Sequence, residues 1–141
     1  TYILLTIATL FSMKKTDVEV EYRNDSGELI DKQHFPNVIF GAAMNLFAEG
    51  GGVPMAPGAQ PFDGKLSFCF AYGIPKWRTF FCLPLLAAAR HEHLKGFLVQ
   101  DHTQVYVRLA SPFTVHADGE YLGELDEFTY QCIPHALRIL K

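Results

Sequence analysis

The chain has 141 residues, 49% of them apolar, and carries 12 Lys and Arg against 15 Asp and Glu for a formal net charge of −3. This length fits one domain, and the apolar content is enough to bury about two thirds of the unfolded surface around a single core. No basic run is long enough to follow a phosphate backbone, which excludes nucleic acid as a partner. Cys69, Cys82 and Cys132 are odd in number and scattered among apolar residues. That pattern is the one expected of reduced core thiols in a cytoplasmic protein, not of disulfides or a zinc site.

From Tyr2 to Lys15 the chain has no Gly or Pro and is dominated by apolar residues, with Lys14 and Lys15 where cations favour a helix C-terminus. The spacing predicts a well-covered helix, shorter than the roughly 20 residues that span a bilayer and without the leader of a signal peptide. The sequence starts on this apolar segment without Met, so the chain is expected to be cut from something longer. Val18, Val20 and Tyr22 alternate with Glu19, Glu21 and Arg23, and Asn24-Asp25-Ser26-Gly27 leads into Glu28 to Gln33. This is the pattern of a β-hairpin.

Phe35 to Phe47 is apolar, with the β-branched content of a buried strand in its early part, and runs into Gly50-Gly51-Gly52. The stretch from Gly50 to Gly64 contains three prolines and ends on Asp63-Gly64, with no helical or strand period. Successive glycines let backbone N–H groups approach an anion or another chain, and a carboxylate on a tight turn suits a hard cation; a Gly/Pro-rich connection between strands accounts for the composition equally well.

Leu66, Phe68 and Phe70 alternate as a strand halted by Gly73 and Pro75, and Lys76 to Arg90 reads as a helix interrupted or kinked by Pro84. Beyond Gly96, strands are expected at Thr103 to Leu109, Phe113 to Ala117, Tyr121 to Leu125, Thr129 to Ile133 and Ala136 to Leu140. The fold class is therefore mainly β, an antiparallel β-sandwich decorated with about two helices.

Chemistry concentrates at Asp118-Gly119-Glu120. On an extended backbone the two carboxylates project to one side and suit phosphoryl transfer, one taking a proton from an attacking alcohol and the other holding a metal or ordering phosphates. An Asp-Gly pair is also the signature of a type I′ hairpin turn. His91 and His93 follow the second helix with Glu92 between them; a solvated helix end explains them, and metal ligation needs partners that the sequence does not place. Trp77, with Lys76 and Arg78 beside it and Phe80, Phe81, Leu83, Leu85 and Leu86 after it, suits either an acyl-chain or membrane-boundary surface or a helix packed on a sheet.

In order and spacing, Asn45 with Gly50-Gly51-Gly52, Ala56-Pro57, Asp63-Gly64 with Leu66, Asp118-Gly119-Glu120 and Pro134-His135-Ala136-Leu137-Arg138 resemble the C-terminal half of the diacylglycerol kinase catalytic family. That family includes bacterial lipid kinases and is related to sphingosine and ceramide kinases, and the resemblance covers nearly the whole chain. Two departures are Pro134-His135 where the family tends to carry Pro-Gly, and Gln60-Pro61-Phe62 in place of a Leu-containing approach to Asp63.

The resemblance implies a two-domain enzyme using ATP and Mg²⁺. A nucleotide-binding N-terminal domain with a Gly-Gly-Asp-Gly-Thr loop, absent here, would face this β-sandwich across a cleft. By the same resemblance Asp118 is the general base toward a lipid hydroxyl, and Glu120 beside Gly119 is associated with Mg²⁺-ATP. Asp63 is the carboxylate of a structural metal site completed by backbone carbonyls near Gln60 and Lys65. The implied partners are a diacylglycerol-like lipid and the missing domain, with room for peripheral membrane contact and a homodimer. The chain alone is expected to be inactive. The alternative from another class is a noncatalytic lipid-binding or protein-interaction sandwich.

Overall fold

The computed structural model describes residues 13–49, 52–134 and 136. Strand β1 (Thr16–Arg23) buries Val18, Val20 and Tyr22 on one face and leaves Asp17 exposed on the other, as its alternation dictates. Asn24 makes the turn that follows: its Oδ1 accepts the N–H groups of Ser26 at 3.0 Å and Glu28 at 2.9 Å. Gly27 closes the turn at a φ of 80°, in the left-handed region where a Cβ is costly.

The return strand β2 (Leu29–Met44) is one element of 16 residues, where the sequence suggested a hairpin arm and a separate apolar strand. It pairs with β1 as far as Thr16↔Val38, then shifts register and pairs with β3 (Leu66–Tyr72) from Phe40↔Ala71 to Met44↔Ser67. The bend lies at Pro36 and Asn37, where Asn37 takes a φ of 51° and its N–H donates to Asp17 Oδ1 at 2.8 Å. Helix α1 (Lys76–Ala87) and a 3-10 turn (His91–His93) connect β3 to β4 (Phe97–His102). Strands β5 (Gln104–Ala117) and β6 (Glu120–Gln131) complete an antiparallel sheet of order β4-β3-β2-β1-β5-β6.

The sheet folds over on itself. Phe68 on β3 and Tyr130 on β6 have three strands between them in that order, yet their ring centroids are 5.8 Å apart. His102 at the end of β4 stacks on Tyr22 of β1 at 3.9 Å. Inside the fold a core is built from Val18, Val20, Tyr22, Phe68, Val105 and Val107, joined by Phe35, Val38 and Phe70. A second cluster of Ile39, Cys69, Ala71, Ile74, Cys82 and Phe97 includes residues from β2, β3, α1 and β4. Strand β3 serves both: Phe68 and Phe70 belong to the first, while Cys69 and Ala71, with opposite pleat, belong to the second. Burial pushes the Cys69 thiol up to about 12 and raises that of Cys82, as expected of reduced core thiols; the three cysteines are free, but Cys132 is only half-buried and lies outside both core clusters.

Several elements differ from the sequence expectations. The Phe113–Ala117 and Thr103–Leu109 strands are one element, β5, because Pro112 falls where the β5–β6 ladder skips between Arg108 and Phe113 and costs no paired N–H. The two strands expected between Tyr121 and Ile133 likewise merge into β6. Helix α1 ends at Ala87 and runs through Pro84 without interruption. It is the one α-helix among the described residues. The first expected helix lies in residues 1–12, outside those described, and Met13 to Lys15 carry no regular structure. Most of the expected strand at Ala136 to Leu140 also lies outside the described residues.

The Tyr22–His102 stack sets a pH dependence. Burial holds the His102 imidazole below its ordinary 6.5, and Lys65 lowers it further against the opposing pull of Asp101 and Asp31. The unfolded chain therefore takes up a proton at a higher pH than the fold does, so this contribution to stability is complete above about 6.5 and is lost as pH falls. Thermal unfolding should lose more Tm between about pH 7.5 and 5 in the wild type than in His102→Phe, which keeps an aromatic ring without a titrating group. Equal slopes for the two proteins would contradict the assignment.

Candidate functional site

Two carboxylate-bearing turns and one Gly/Pro loop hold the residues singled out from the sequence. The acidic tripeptide caps the β5–β6 hairpin. Ala117 pairs with Glu120, leaving Asp118 and Gly119 as a two-residue loop with φ of 49° and 88°. Positive φ at both positions defines the type I′ turn, for which Asp-Gly is a preferred pair. The extended backbone at Asp118, the premise for projecting both carboxylates to one side, is therefore replaced by a left-handed turn.

Asp118, Gly119 and Glu120 are all exposed, and no hydrogen bond or ion pair among the described residues engages either carboxylate. The turn thus offers acidic oxygens to whatever approaches the hairpin tip. His116 and Tyr121 support it from the two strands, their rings 5.6 Å apart.

The second turn is at Asp63. Its Oδ1 accepts the Lys65 N–H at 2.9 Å, Gly64 follows at a φ of 74°, and the Asp63 N–H reaches the Gln60 carbonyl at 3.5 Å, a long contact. Asp63, Gln60 and Lys65 are exposed. One carboxylate oxygen is tied to the turn and the other has no donor among the described residues. A Cβ on Gly64 would lie 3.5 Å from Pro134 Cγ, so the fold brings this turn against the start of the closing Pro134-His135-Ala136 segment.

The ladder places the two turns at opposite ends of the β5–β6 hairpin. Pro134 follows the end where Gln104 pairs with Gln131, and Asp118 sits at the other. No cluster of three or more His, Cys, Asp or Glu side chains suited to a metal occurs among the described residues.

The Gly/Pro loop is anchored. Glu49 and Val53 form an isolated bridge, and Gly52, at a φ of 81°, donates to the Glu49 carbonyl at 2.9 Å. That N–H is therefore committed to a turn and is not offered to an anion, while Gly50 and Gly51 lie outside the described residues. Met55, Ala56 and Ala59 are buried.

The residue that holds the loop was missed in the sequence. His91, expected at a solvated helix end, is completely buried, with Nε2 3.1 Å from the Met55 carbonyl and its ring 5.4 Å from that of Phe97. Its Nδ1 has no protein partner. A lone His after a helix carries no signal for this role, because the partner carbonyl is 36 residues upstream.

Over residues 1–141 the chain matches the family model described as the YegS C-terminal NAD kinase beta sandwich-like domain. No curated protein matches it. Among solved structures it is similar to a candidate diacylglycerol kinase from Bacillus anthracis str. Sterne, with TM-score 0.63 and 15% identity over 96% of this chain and 47% of that one. A second such candidate from the same organism gives 0.53 and 14% over 89% and 41%. A further structure of a diacylglycerol kinase from that organism gives 0.53 and 13% over 89% and 43%. At these identities the likeness is one of fold, and the chain spans about half the length of the proteins it matches.

Proposed function

This chain belongs to the YegS C-terminal NAD kinase beta sandwich-like domain family, and from that membership we propose that it is the acceptor-side domain of an ATP-dependent lipid kinase. The observation that carries the reading is the Asp118-Gly119 turn, which holds an exposed carboxylate at a hairpin tip with no donor to it among the described residues. Such a group is placed to work on a molecule bound between this domain and another.

In the proposed reaction a lipid hydroxyl gives its proton to Asp118 as its oxygen forms a bond to the γ-phosphorus of ATP. The bond from that phosphorus to the bridging oxygen breaks, and ADP leaves. Glu120, beside Gly119, is assigned to the Mg²⁺-nucleotide side of the same cleft. The nucleotide phosphates themselves are assigned to a second, nucleotide-binding domain, which agrees with the N–H of Gly52 being used within its own loop.

The oxygen-only donor set at Asp63, one available carboxylate oxygen with the carbonyls near Gln60 and Lys65, suits a hard cation that keeps several of its waters. Mg²⁺ bound there would supply fixed positive charge to the turn. Its position against Pro134 makes this a structural role, tying the turn to the C-terminal segment. A cytoplasmic location fits the free, protonated thiols, and no helix among the described residues is long and apolar enough to cross a membrane.

The test is phosphoryl transfer from labelled ATP to diacylglycerol. Within its full-length protein the chain should support transfer, and as the 141-residue chain it should turn over nothing.

A further inference from the structure

Helix α1 has apolar residues on the wrong side. Thr79 and Cys82 are its buried positions, so the core-facing stripe is complete without Trp77, Phe81 and Leu85. These three recur at i, i+4 and i+8 and line the opposite face, where a helix on the outside of a domain carries polar residues. Trp77 is 65% and Phe81 64% exposed, with Phe80 and Leu85 also exposed beside them. Among the described residues the rings pair with one another: Trp77 and Phe81 centroids are 6.4 Å apart, and Phe80 and Phe81 5.8 Å. A contiguous apolar patch of this kind marks a contact surface.

The charge around it selects the partner. From Ile74 to His91 the chain carries Lys76, Arg78 and Arg90 and no Asp or Glu, while the rest of the chain has nine cations against fifteen anions. Lys76 and Arg78 flank Trp77, and Lys15 is drawn to the same end of the helix by donating to the Ile74 carbonyl at 2.7 Å. A cationic, acid-free segment on an otherwise acidic chain, around exposed Trp and Phe, matches an anionic interface with an apolar interior. We propose that the outer face of α1, centred on Trp77, Phe81 and Leu85, docks on an anionic lipid bilayer surface. The proposal deepens the lipid-kinase reading and rests on it for why a bilayer is the partner.

Trp77 is the only tryptophan, so its fluorescence reports this face alone. Titrating the 141-residue chain with phosphatidylglycerol vesicles should shift Trp77 emission to the blue and carry the protein into the vesicle fraction, with weaker binding to phosphatidylcholine vesicles and in high salt. The double variant Phe81→Ser and Leu85→Ser, at exposed positions and with unchanged circular dichroism, should bind the anionic vesicles at least about tenfold more weakly.

Unmoved Trp77 emission with anionic vesicles overturns the proposal, as does equal binding by the double variant. A blue shift that needs no vesicles and tracks a dimer mass in light scattering also overturns it and assigns the face to a second copy. Phosphorylation of a water-soluble short-chain diacylglycerol by the full-length protein reads the kinase assignment separately. Turnover without vesicle binding rejects only the docking surface, and vesicle binding without turnover rejects only the kinase reading.

Discussion

Replacing Asp118 by Asn in the full-length protein should lower kcat for lipid phosphorylation by about 10²- to 10⁴-fold, the range a positioned general base contributes. The substitution keeps the side-chain shape and its preference for a positive φ, so the type I′ turn and the β5–β6 register should survive. What is lost is the ability to take the hydroxyl proton as the new bond to phosphorus forms. The effect should therefore fall on kcat, with the KM for ATP little changed, because no step of nucleotide binding is assigned to this carboxylate. Unimpaired turnover by Asp118→Asn would remove the base from the mechanism. A parallel rise in KM for ATP would move the residue to the nucleotide side of the cleft.

Phe68→Ala is the substitution expected to cost the fold most. Phe68 is 1% exposed and lies where the sheet closes over itself, between Tyr130 of β6 at 5.8 Å and His102 of β4 at 6.4 Å between ring centroids. Truncation leaves a cavity that neither neighbour can fill without leaving its own strand register, so the cost should be about 3–5 kcal/mol. Against a total stability of about 5–15 kcal/mol for a domain, that is a fifth or more of the whole. Urea unfolding followed by circular dichroism measures it directly. A loss of only about 1 kcal/mol would mean that the two halves of the sheet do not pack through this ring.

The β1–β2 hairpin was legible because both of its causes are local, the Val18-Val20-Tyr22 alternation and the Asn24-to-Gly27 turn chemistry. The Asp118-Gly119 turn was legible for the same reason, as one of two readings of a dipeptide. Strand lengths were not. The sequence divided each of two long strands, one between Gln33 and Phe35 and one between Leu109 and Phe113, yet β2 bends past Pro36 while changing neighbours, and β5 passes Pro112 where no ladder bond is made. Strand β4 went unrecognised because Phe97-Leu98-Val99 does not alternate, being covered on both sides of the sheet.

Contacts between distant segments left no local signal. His91 reaching the Met55 carbonyl and Pro134 resting against Gly64 are products of closure, set by how β3 and β4 swing over β1, β5 and β6. The residues alone suited Asp63 to a hard cation and the Asp118 and Glu120 pair to phosphoryl transfer, but did not say which carboxylate takes which role. Those assignments came from the resemblance, and the structure adds that the two turns stand at opposite ends of one hairpin.

Transfer of labelled phosphate from ATP to diacylglycerol, measured side by side for the full-length protein and for the 141-residue chain, decides whether this domain is the acceptor half of a lipid kinase. Phosphorylated lipid from the full-length protein and none from the chain alone is the predicted outcome. Turnover by the chain alone, or a full-length protein that leaves the lipid unmodified, would contradict it.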